Sequence, residues 1–152
     1  MAELPEDDRA RLQRLSDVEE IRTLIAEYRR QLDARDYPAY SALFARDGEF
    51  VGNVGRATGP AAIEAMLVES LGPRIEAPGP TAFHLVANSI ISVDGDTATG
   101  TSTFVVLRRG AGDVVEFQSM GEYDDVFVRE DGRWKIQTRR AGLDIPDLKP
   151  PR

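Results

Sequence analysis

The sequence predicts an α+β fold, in which N-terminal helices pack on one face of a mostly antiparallel sheet. Two observations indicate this class. Apolar residues recur at helical spacing in the first half of the chain, whereas β-branched and aromatic residues dominate after Thr81. Short turn segments separate the stretches of the second half, which is typical of strands that pair as hairpins.

The composition is that of a single globular domain. The 152 residues are 41% apolar and 30% charged, and the net charge is −7. Because nucleic acids and anionic membranes bind clustered Lys and Arg, neither is an expected partner. With one histidine and no cysteine, a transition-metal site and a thiol nucleophile are not expected. We expect one domain over residues 1–152, with its core at residues 12–145.

The start of the chain is acidic and lacks the apolar segment of a signal peptide. No apolar run approaches the ~20 residues that a membrane-spanning helix needs. The sequence therefore predicts a cytoplasmic protein.

The first helix is predicted to begin at Ser16. Ser16 and Glu19 have the spacing of a capping box, in which two side chains satisfy free backbone N–H groups at a helix start. Apolar residues then recur at helical spacing and form a stripe that is expected to face the core. This stripe consists of Val18, Ile21, Leu24, Ile25, Tyr28 and Leu32.

Two shorter helices are predicted next. Asp36 can cap the first of them, and Pro38 suits its first turn. Gly59-Pro60 begins the other, which ends at Gly72. Between them, "GEFVGN" is predicted to form a strand.

Four more strands are predicted after these helices. They are "TAFHLVANSIISV", "TATGTSTFVVLRR", "VVEFQSMGEYDDVFVRE" and "RWKIQTRRAGL", separated by "DGD", "GAGD" and "EDG". The acidic residues of "GEYDDVFVRED" alternate between strand faces, so they are expected at solvated edges and turns rather than at a cation site. The Pro-rich stretch "DIPDLKPPR" is predicted to be an irregular tail.

The only histidine, His84, lies in a strand whose two faces are both largely apolar. Strict alternation places it on one face with Val86, Asn88 and Ile90. The helices can cover one face only, so the outer face is predicted to pair with a second subunit in a homo-oligomer. A buried imidazole needs partners, which a cavity with its ligand would provide. The alternative is a core histidine bonded to the backbone or to Asn88.

Several stretches together resemble the SnoaL-like branch of the nuclear transport factor 2-like superfamily. They are "IRTLIAEYRRQLDARDYPAYSALFARDGEF", "GRATGPAAIEAML", "TAFHLVANSIISVDGDTATG" and "GEYDDVFVREDGRWKI". The resemblance implies a cone-shaped fold whose helices and curved sheet enclose an apolar pocket. The branch includes scytalone dehydratase, bile acid 7α-dehydratase and hexachlorocyclohexane dehydrochlorinase, which are cofactor-free eliminating enzymes. It also includes polyketide cyclases.

The resemblance also implies catalytic residues. In the eliminating enzymes, an aspartate late in the first helix hydrogen-bonds a histidine of the sheet, which serves as general base or acid. Asp33 and His84 match these two positions, and Tyr28 matches a tyrosine of the bile acid enzyme. The arginine near the end of the bile acid enzyme has only approximate counterparts, Arg139 and Arg140. Scytalone dehydratase has a second active-site histidine, which this chain lacks.

An Asp–His pair suits the removal of a proton beside a carbonyl group. The carboxylate fixes the imidazole tautomer and stabilises the imidazolium that forms, and a tyrosine hydroxyl can donate to the developing oxyanion. Simpler roles are open for the same residues. Asp33 can pair with Arg29 or Arg30 at helical spacing, and Tyr28 can be a core aromatic residue.

Further residues are candidates for substrate binding. Asn88 could orient a ligand or serve as a structural amide. Alternation puts Arg140 on one strand face with Trp134, where it could bind an anionic or carbonyl group or be a solvated charge. The apolar candidates for the pocket wall or the core are Phe44, Phe50, Met66, Leu67, Phe104 and Trp134.

The sequence therefore predicts a cofactor-independent lyase or isomerase that acts on a small hydrophobic ring compound. The alternatives are a polyketide cyclase or hydrolase, and a non-catalytic ligand-binding or dimerisation module on the same fold. The distance between Asp33 and His84 discriminates between them. A hydrogen bond inside an open pocket favours an enzyme, and a filled pocket favours the module.

Overall fold

The computed structural model describes residues 5–72 and 81–145. Within these residues, three α-helices and six strands follow one another, with a short 3₁₀ helix (Ala111–Asp113) between the fourth and fifth strands. The helices are α1 (Glu6–Asp33), α2 (Tyr37–Ser41) and α3 (Pro60–Leu71). The strands are β1 (Phe44–Gly52), β2 (Gly55–Thr58), β3 (Ala82–Asp94), β4 (Thr97–Arg109), β5 (Val115–Glu130) and β6 (Arg133–Ile145).

The six strands form one curved, open sheet in the order β2-β1-β6-β5-β4-β3. All neighbouring pairs are antiparallel except β1 and β6, which are parallel. The helices pack against this sheet, with α1 against β3 and β6 and α3 against β1 and β2. The predicted α+β class with a mostly antiparallel sheet is confirmed.

Helix α1 begins ten residues earlier than the capping box predicts. Ser16 lies inside the helix, and its hydroxyl donates to Glu20 Oε1 over 3.5 Å instead of capping. The acidic side chains of the first turn, from Glu6 to Asp8, favour the earlier start because negative charge stabilises the N-terminal end of a helix. The prediction of a helix start at Ser16 is therefore wrong.

The apolar stripe of α1 packs into the core as predicted, with Ile21, Leu24, Ile25 and Tyr28 buried. The start of α2 also follows the prediction, since the Asp36 side chain accepts a hydrogen bond from the Ala39 N–H over 3.2 Å. The end of α1 thus lies against the sheet, and α2 packs against α1 and α3.

A bulge in β3 changes which residues face the helices. Asn88 has φ +54°, and the pairing of β3 with β4 shifts between Ala87 and Ile90. His84 and Val86 face the core before the bulge, whereas Ile91 takes the inner face after it. Asn88 is consequently exposed, so its predicted place beside His84 on the inner face is wrong.

A second bulge lies in β6. Val126 of β5 pairs with Thr138 and Phe127 pairs with Ile136, so Gln137 is an extra residue. This insertion inverts the alternation in the second half of the strand. Arg139 is fully buried and Arg140 is exposed, contrary to the prediction that placed Arg140 on the face of Trp134.

None of the helices in the two described segments is long and apolar enough to cross a membrane. Of the predicted irregular tail, Asp144 and Ile145 extend β6. The rest of the tail lies outside the described residues.

Candidate active site

A cavity of about 210 Å³ lies between the helices and the inner face of the sheet. Most of its wall is apolar. The larger apolar side chains that line it are Leu32, Phe50, Val54, Leu67, Leu71, Phe104, Val106 and Leu143. The polar side chains include Tyr28, Asp33, Tyr40, His84, Ser119 and Tyr123. The cavity is thus open to a small apolar ligand and offers a few polar groups that could orient it.

Asp33 and His84 make a close contact in the cavity wall. The ring Nδ1 of His84 lies 2.6 Å from Asp33 Oδ1. A carboxylate only accepts hydrogen bonds, so Nδ1 carries the ring proton and donates a hydrogen bond to Asp33. This leaves Nε2 as the basic nitrogen. The backbone N–H of His84 donates to the same carboxylate, 3.2 Å from each oxygen. Asp33 therefore fixes both the ring and the main chain of His84.

The pair is largely withdrawn from water. The side chain of Asp33 is 8% exposed and that of His84 is 19% exposed. Arg29, one turn earlier on α1, places Nη1 3.4 Å from Asp33 Oδ2. Its guanidinium also lies over the ring of Phe83, at 5.0 Å from the ring centre. Asp33 thus bonds His84 and also pairs with Arg29, which is the simpler role that the sequence left open for it.

Three tyrosines meet at another part of the wall. The ring centre of Tyr28 lies 4.6 Å from that of Tyr40 and 5.7 Å from that of Tyr123. Burial raises the pKa of Tyr28, although the nearby Arg139 acts in the opposite direction. Burial likewise raises the pKa of Tyr40 and Tyr123 well above the ordinary tyrosine value. The three hydroxyls therefore stay protonated and are available as donors.

A buried ion pair lies beneath these tyrosines. Arg139 donates to Asp125 through Nε over 2.7 Å and through Nη2 over 2.6 Å, and neither side chain has contact with water. The guanidinium lies 3.9 Å from the ring centre of Tyr28 and 4.3 Å from that of Tyr123. Burial acts to lower the pKa of Arg139, but Asp125, together with Tyr28 and Tyr123, raises it above the ordinary value, so the guanidinium stays charged.

Sequence reasoning missed this pair. Asp125 belongs to the acidic stretch that we expected at solvated edges, and that expectation is wrong for it. A signal was present in the alternation of β5, because Tyr123, Asp125 and Phe127 share one strand face with two aromatic members. Its partner Arg139 could not be recognised as buried, because the bulge at Gln137 reverses the alternation of β6.

The other predicted site residues divide between the cavity and the rest of the core. Phe50 and Phe104 line the cavity. Met66 packs against the core but is not part of the cavity wall, and Asn88 and Arg140 are exposed outside it.

Trp134 is buried away from the cavity. Its indole N–H donates to Asp17 Oδ1 over 3.2 Å, and Arg129 donates to the same oxygen over 2.6 Å. The Arg129 guanidinium also stacks on the indole, 4.6 Å from the ring centre. Trp134 therefore anchors α1 to the sheet, and of the two roles left open for it, pocket wall or core, it takes the core.

No group of three or more metal-binding side chains occurs within residues 5–72 and 81–145. The polar groups that the cavity offers are a carboxylate, an imidazole, hydroxyls, the guanidinium of Arg35 and the amides of Asn53 and Gln118. This inventory suits proton transfer and hydrogen bonding to a ligand.

The fold and the cavity define an α+β protein of the nuclear transport factor 2-like class. The model of the SnoaL-like domain matches residues 13–140, and the chain belongs to this family. No curated protein sequence matches the chain significantly.

Solved structures show the same fold. An NTF2-like protein with a cystatin-like fold from Novosphingobium aromaticivorans is 30% identical, with a TM-score of 0.83, over 97% of this chain and 95% of that chain. A candidate scytalone dehydratase from the same organism is 26% identical, with a TM-score of 0.69, over 85% of each chain. ActVI-ORFA from Streptomyces coelicolor is 26% identical, with a TM-score of 0.70, over 84% of this chain and 97% of that one.

Proposed function

We propose that the protein is a cofactor-independent lyase or isomerase in which His84 is the general base. The observation that carries this proposal is the 2.6 Å hydrogen bond between His84 Nδ1 and Asp33 Oδ1 in the wall of a largely apolar cavity. A base held in one tautomer, beside a space for a ligand, is suited to proton abstraction. The resemblance to a candidate scytalone dehydratase supports the same class of chemistry.

The proposed reaction begins when His84 Nε2 takes a proton from a carbon beside a carbonyl group. The electron pair of the C–H bond moves toward the carbonyl oxygen, and Tyr28 donates a hydrogen bond to this oxygen. The carboxylate of Asp33 stabilises the imidazolium that forms. In an elimination, the electron pair on the oxygen returns to form a carbon–carbon double bond as the C–O bond at the next carbon breaks, and the imidazolium gives its proton to the departing hydroxyl group, which leaves as water. In an isomerisation, it returns the proton to another carbon of the substrate.

The cavity supports a substrate of one or two rings. An apolar cavity of about 150 Å³ accommodates benzene, and the cavity here measures about 210 Å³. Phe50, Phe104 and Leu67 provide flat or branched apolar surface around the ligand. Because such walls exclude water, the interaction of Asp33 with the imidazolium is stronger than it would be in solution.

Deuterium exchange of a model ketone tests this proposal without knowledge of the natural substrate. 1-Indanone is incubated in D₂O with the protein, and the loss of its α-proton signal is followed by NMR. We expect the wild type to accelerate the exchange and the His84→Ala variant to lose that acceleration. Equal rates for the two proteins would refute His84 as the base. Binding of 1-indanone without any accelerated exchange would favour the non-catalytic module.

We further propose that a second copy of the chain covers the outer face of the sheet. This face exposes large apolar side chains, among them Ile90, which is 73% exposed, and also Leu85 and Val126. Asp124 of β5 and Arg140 of β6 are paired in register and both exposed on this face. A surface that carries both signs of charge around apolar residues is able to complement a copy of itself across a two-fold axis.

A further inference from the structure

Tyr40 carries a buried hydroxyl that the protein does not fully satisfy. Its side chain is 0% exposed and lines the cavity, and its hydroxyl makes no hydrogen bond of ordinary geometry with the described residues, although the Tyr28 hydroxyl is close enough to interact with it. A buried polar atom without a partner is rare, because the loss of its hydrogen bonds to water is not compensated. A ligand oxygen in the cavity would supply such a partner.

Tyr37, on the same short helix, shows the ordinary arrangement. It is also buried, but its hydroxyl donates to the carbonyl oxygen of Gly72 over 3.0 Å. Tyr37 is not part of the cavity wall. The two tyrosines of α2 therefore differ: the protein accepts a hydrogen bond from the hydroxyl of Tyr37 but not from that of Tyr40.

The surroundings of Tyr40 make its hydroxyl a donor. Burial raises the pKa of Tyr40 well above the ordinary tyrosine value, and the neighbouring Tyr28 adds to this effect. The charged Arg139 lies beyond Tyr28, with its guanidinium 3.9 Å from that ring centre. A neutral hydroxyl close to a fixed positive charge favours an electron-rich oxygen as its acceptor.

We propose that Tyr40 determines specificity by donating its hydroxyl proton to a carbonyl or hydroxyl oxygen of a ring compound bound in the cavity. This inference rests on the proposed function and names the class of its substrate, an oxygenated ring rather than a plain hydrocarbon. The apolar walls give affinity for the ring, and Tyr40 fixes which edge of the ring carries the oxygen. A ligand without that oxygen leaves the buried hydroxyl unpaired and loses affinity.

A matched pair of ligands tests this proposal. Indane and 1-indanone have nearly the same shape, and only 1-indanone carries a carbonyl oxygen. The dissociation constants of both are measured by calorimetry for the wild type, Tyr40→Phe and Tyr37→Phe. We expect Tyr40→Phe to lower the preference for 1-indanone over indane about threefold to tenfold, which is the net contribution of one hydrogen bond. Tyr37→Phe should keep the preference of the wild type.

Thermal unfolding of the same variants gives a second measurement. Tyr40→Phe removes an unpaired buried hydroxyl, so its unfolding temperature should equal or exceed that of the wild type. Tyr37→Phe removes a paired one and should unfold at a lower temperature. A clear loss of stability in Tyr40→Phe would show that its hydroxyl has a partner within the protein, and would overturn the proposal.

The binding experiment is independent of catalysis. In His84→Ala, which cannot turn over a substrate by the proposed route, the preference for 1-indanone should persist. If the exchange assay fails while this preference depends on Tyr40, the proposed function is wrong and the assignment of Tyr40 stands. If the wild type does not bind 1-indanone, or if Tyr40→Phe keeps the full preference, the assignment of Tyr40 is wrong.

Discussion

The carboxylate of Asp33 accepts hydrogen bonds from both the ring and the backbone of His84, which lies 51 residues later in the chain. Strand β3 is at the edge of the sheet, so the backbone N–H of His84 that faces α1 has no neighbouring strand to bond. Asp33 takes the place of that strand. The residue that orients the base therefore also completes the hydrogen bonding of the sheet edge.

Replacement of this carboxylate by an amide should separate its two roles. In Asp33→Asn, the amide oxygen can still accept the backbone N–H of His84, but it carries no charge to stabilise an imidazolium. We expect the exchange of 1-indanone to slow by about 10²- to 10⁴-fold. Asp124→Asn, a change of the same kind at an exposed site, is the control and should retain the wild-type rate. A rate for Asp33→Asn within twofold of the wild type would contradict the proposed base pair.

The ion pair beneath the tyrosines should be costly to break. Arg139→Met leaves the carboxylate of Asp125 buried without its partner, and we expect the free energy of unfolding to fall by about 3–5 kcal/mol. Urea denaturation measures this change. The double variant Arg139→Met with Asp125→Leu removes both charges and should recover most of the loss. Equal losses in the single and the double variant would show that the ion pair is not the cause.

The stability of the fold should depend on Asp17 in a pH-dependent way. Burial acts to raise the pKa of Asp17, but hydrogen bonds from Arg129, Trp134 and Gln13 together lower it below its ordinary value. A carboxyl group with a lowered pKa in the folded state stabilises that state above its unfolded pKa of about 4. This stabilisation is lost as the pH falls through the folded-state pKa.

Asp17→Asn should consequently cost about 2 kcal/mol of unfolding free energy near pH 7. The difference from the wild type should begin to shrink below about pH 4, where the unfolded chain takes up the proton, and should be smallest below the folded-state pKa, where the folded carboxyl group is protonated as well. Urea denaturation at pH 7 and pH 3 measures both values. A difference that stays constant with pH would exclude the charge of Asp17 as its source.

A charge on the outer face of the sheet should disrupt a pair of chains. We expect Ile90→Lys to lower the molecular mass in solution to that of one chain, as measured by light scattering after gel filtration. Leu12→Lys, which changes an exposed apolar residue of α1, should leave the mass of the wild type unchanged. A wild type that is already a single chain at millimolar concentration would reject the paired outer face.

Periodicity and turn residues were sufficient to predict the class of fold. The stripe of α1, the cap at Asp36 and the hairpins after Thr81 are local features, each decided by residues close in sequence. The early start of α1 was not predicted, because the residues of a capping box look the same in sequence inside a helix as at its N-terminal end. Local patterns thus identified most elements but not every boundary.

The site was harder to predict because its residues come from distant segments. Asp33 and His84 could be paired only through the resemblance to a family, since nothing within either segment indicates the other. The positions after each bulge were misassigned, because strict alternation fails where one extra residue enters a strand. This single cause explains why Asn88 and Arg140 are exposed although alternation places them inside, and why Arg139 is buried although alternation places it outside.

Gln137 decides which arginine is buried beneath the tyrosines of the cavity wall, although Gln137 itself does not line the cavity. The length of β6, rather than the kind of side chain at this position, decides that Arg139 and not Arg140 meets Asp125. Most substitutions of Gln137 should be tolerated, whereas its deletion would turn the following residues over and leave Asp125 facing a different neighbour. Relatives that differ by one residue in the length of this strand could therefore bury a different side chain beneath the same tyrosines.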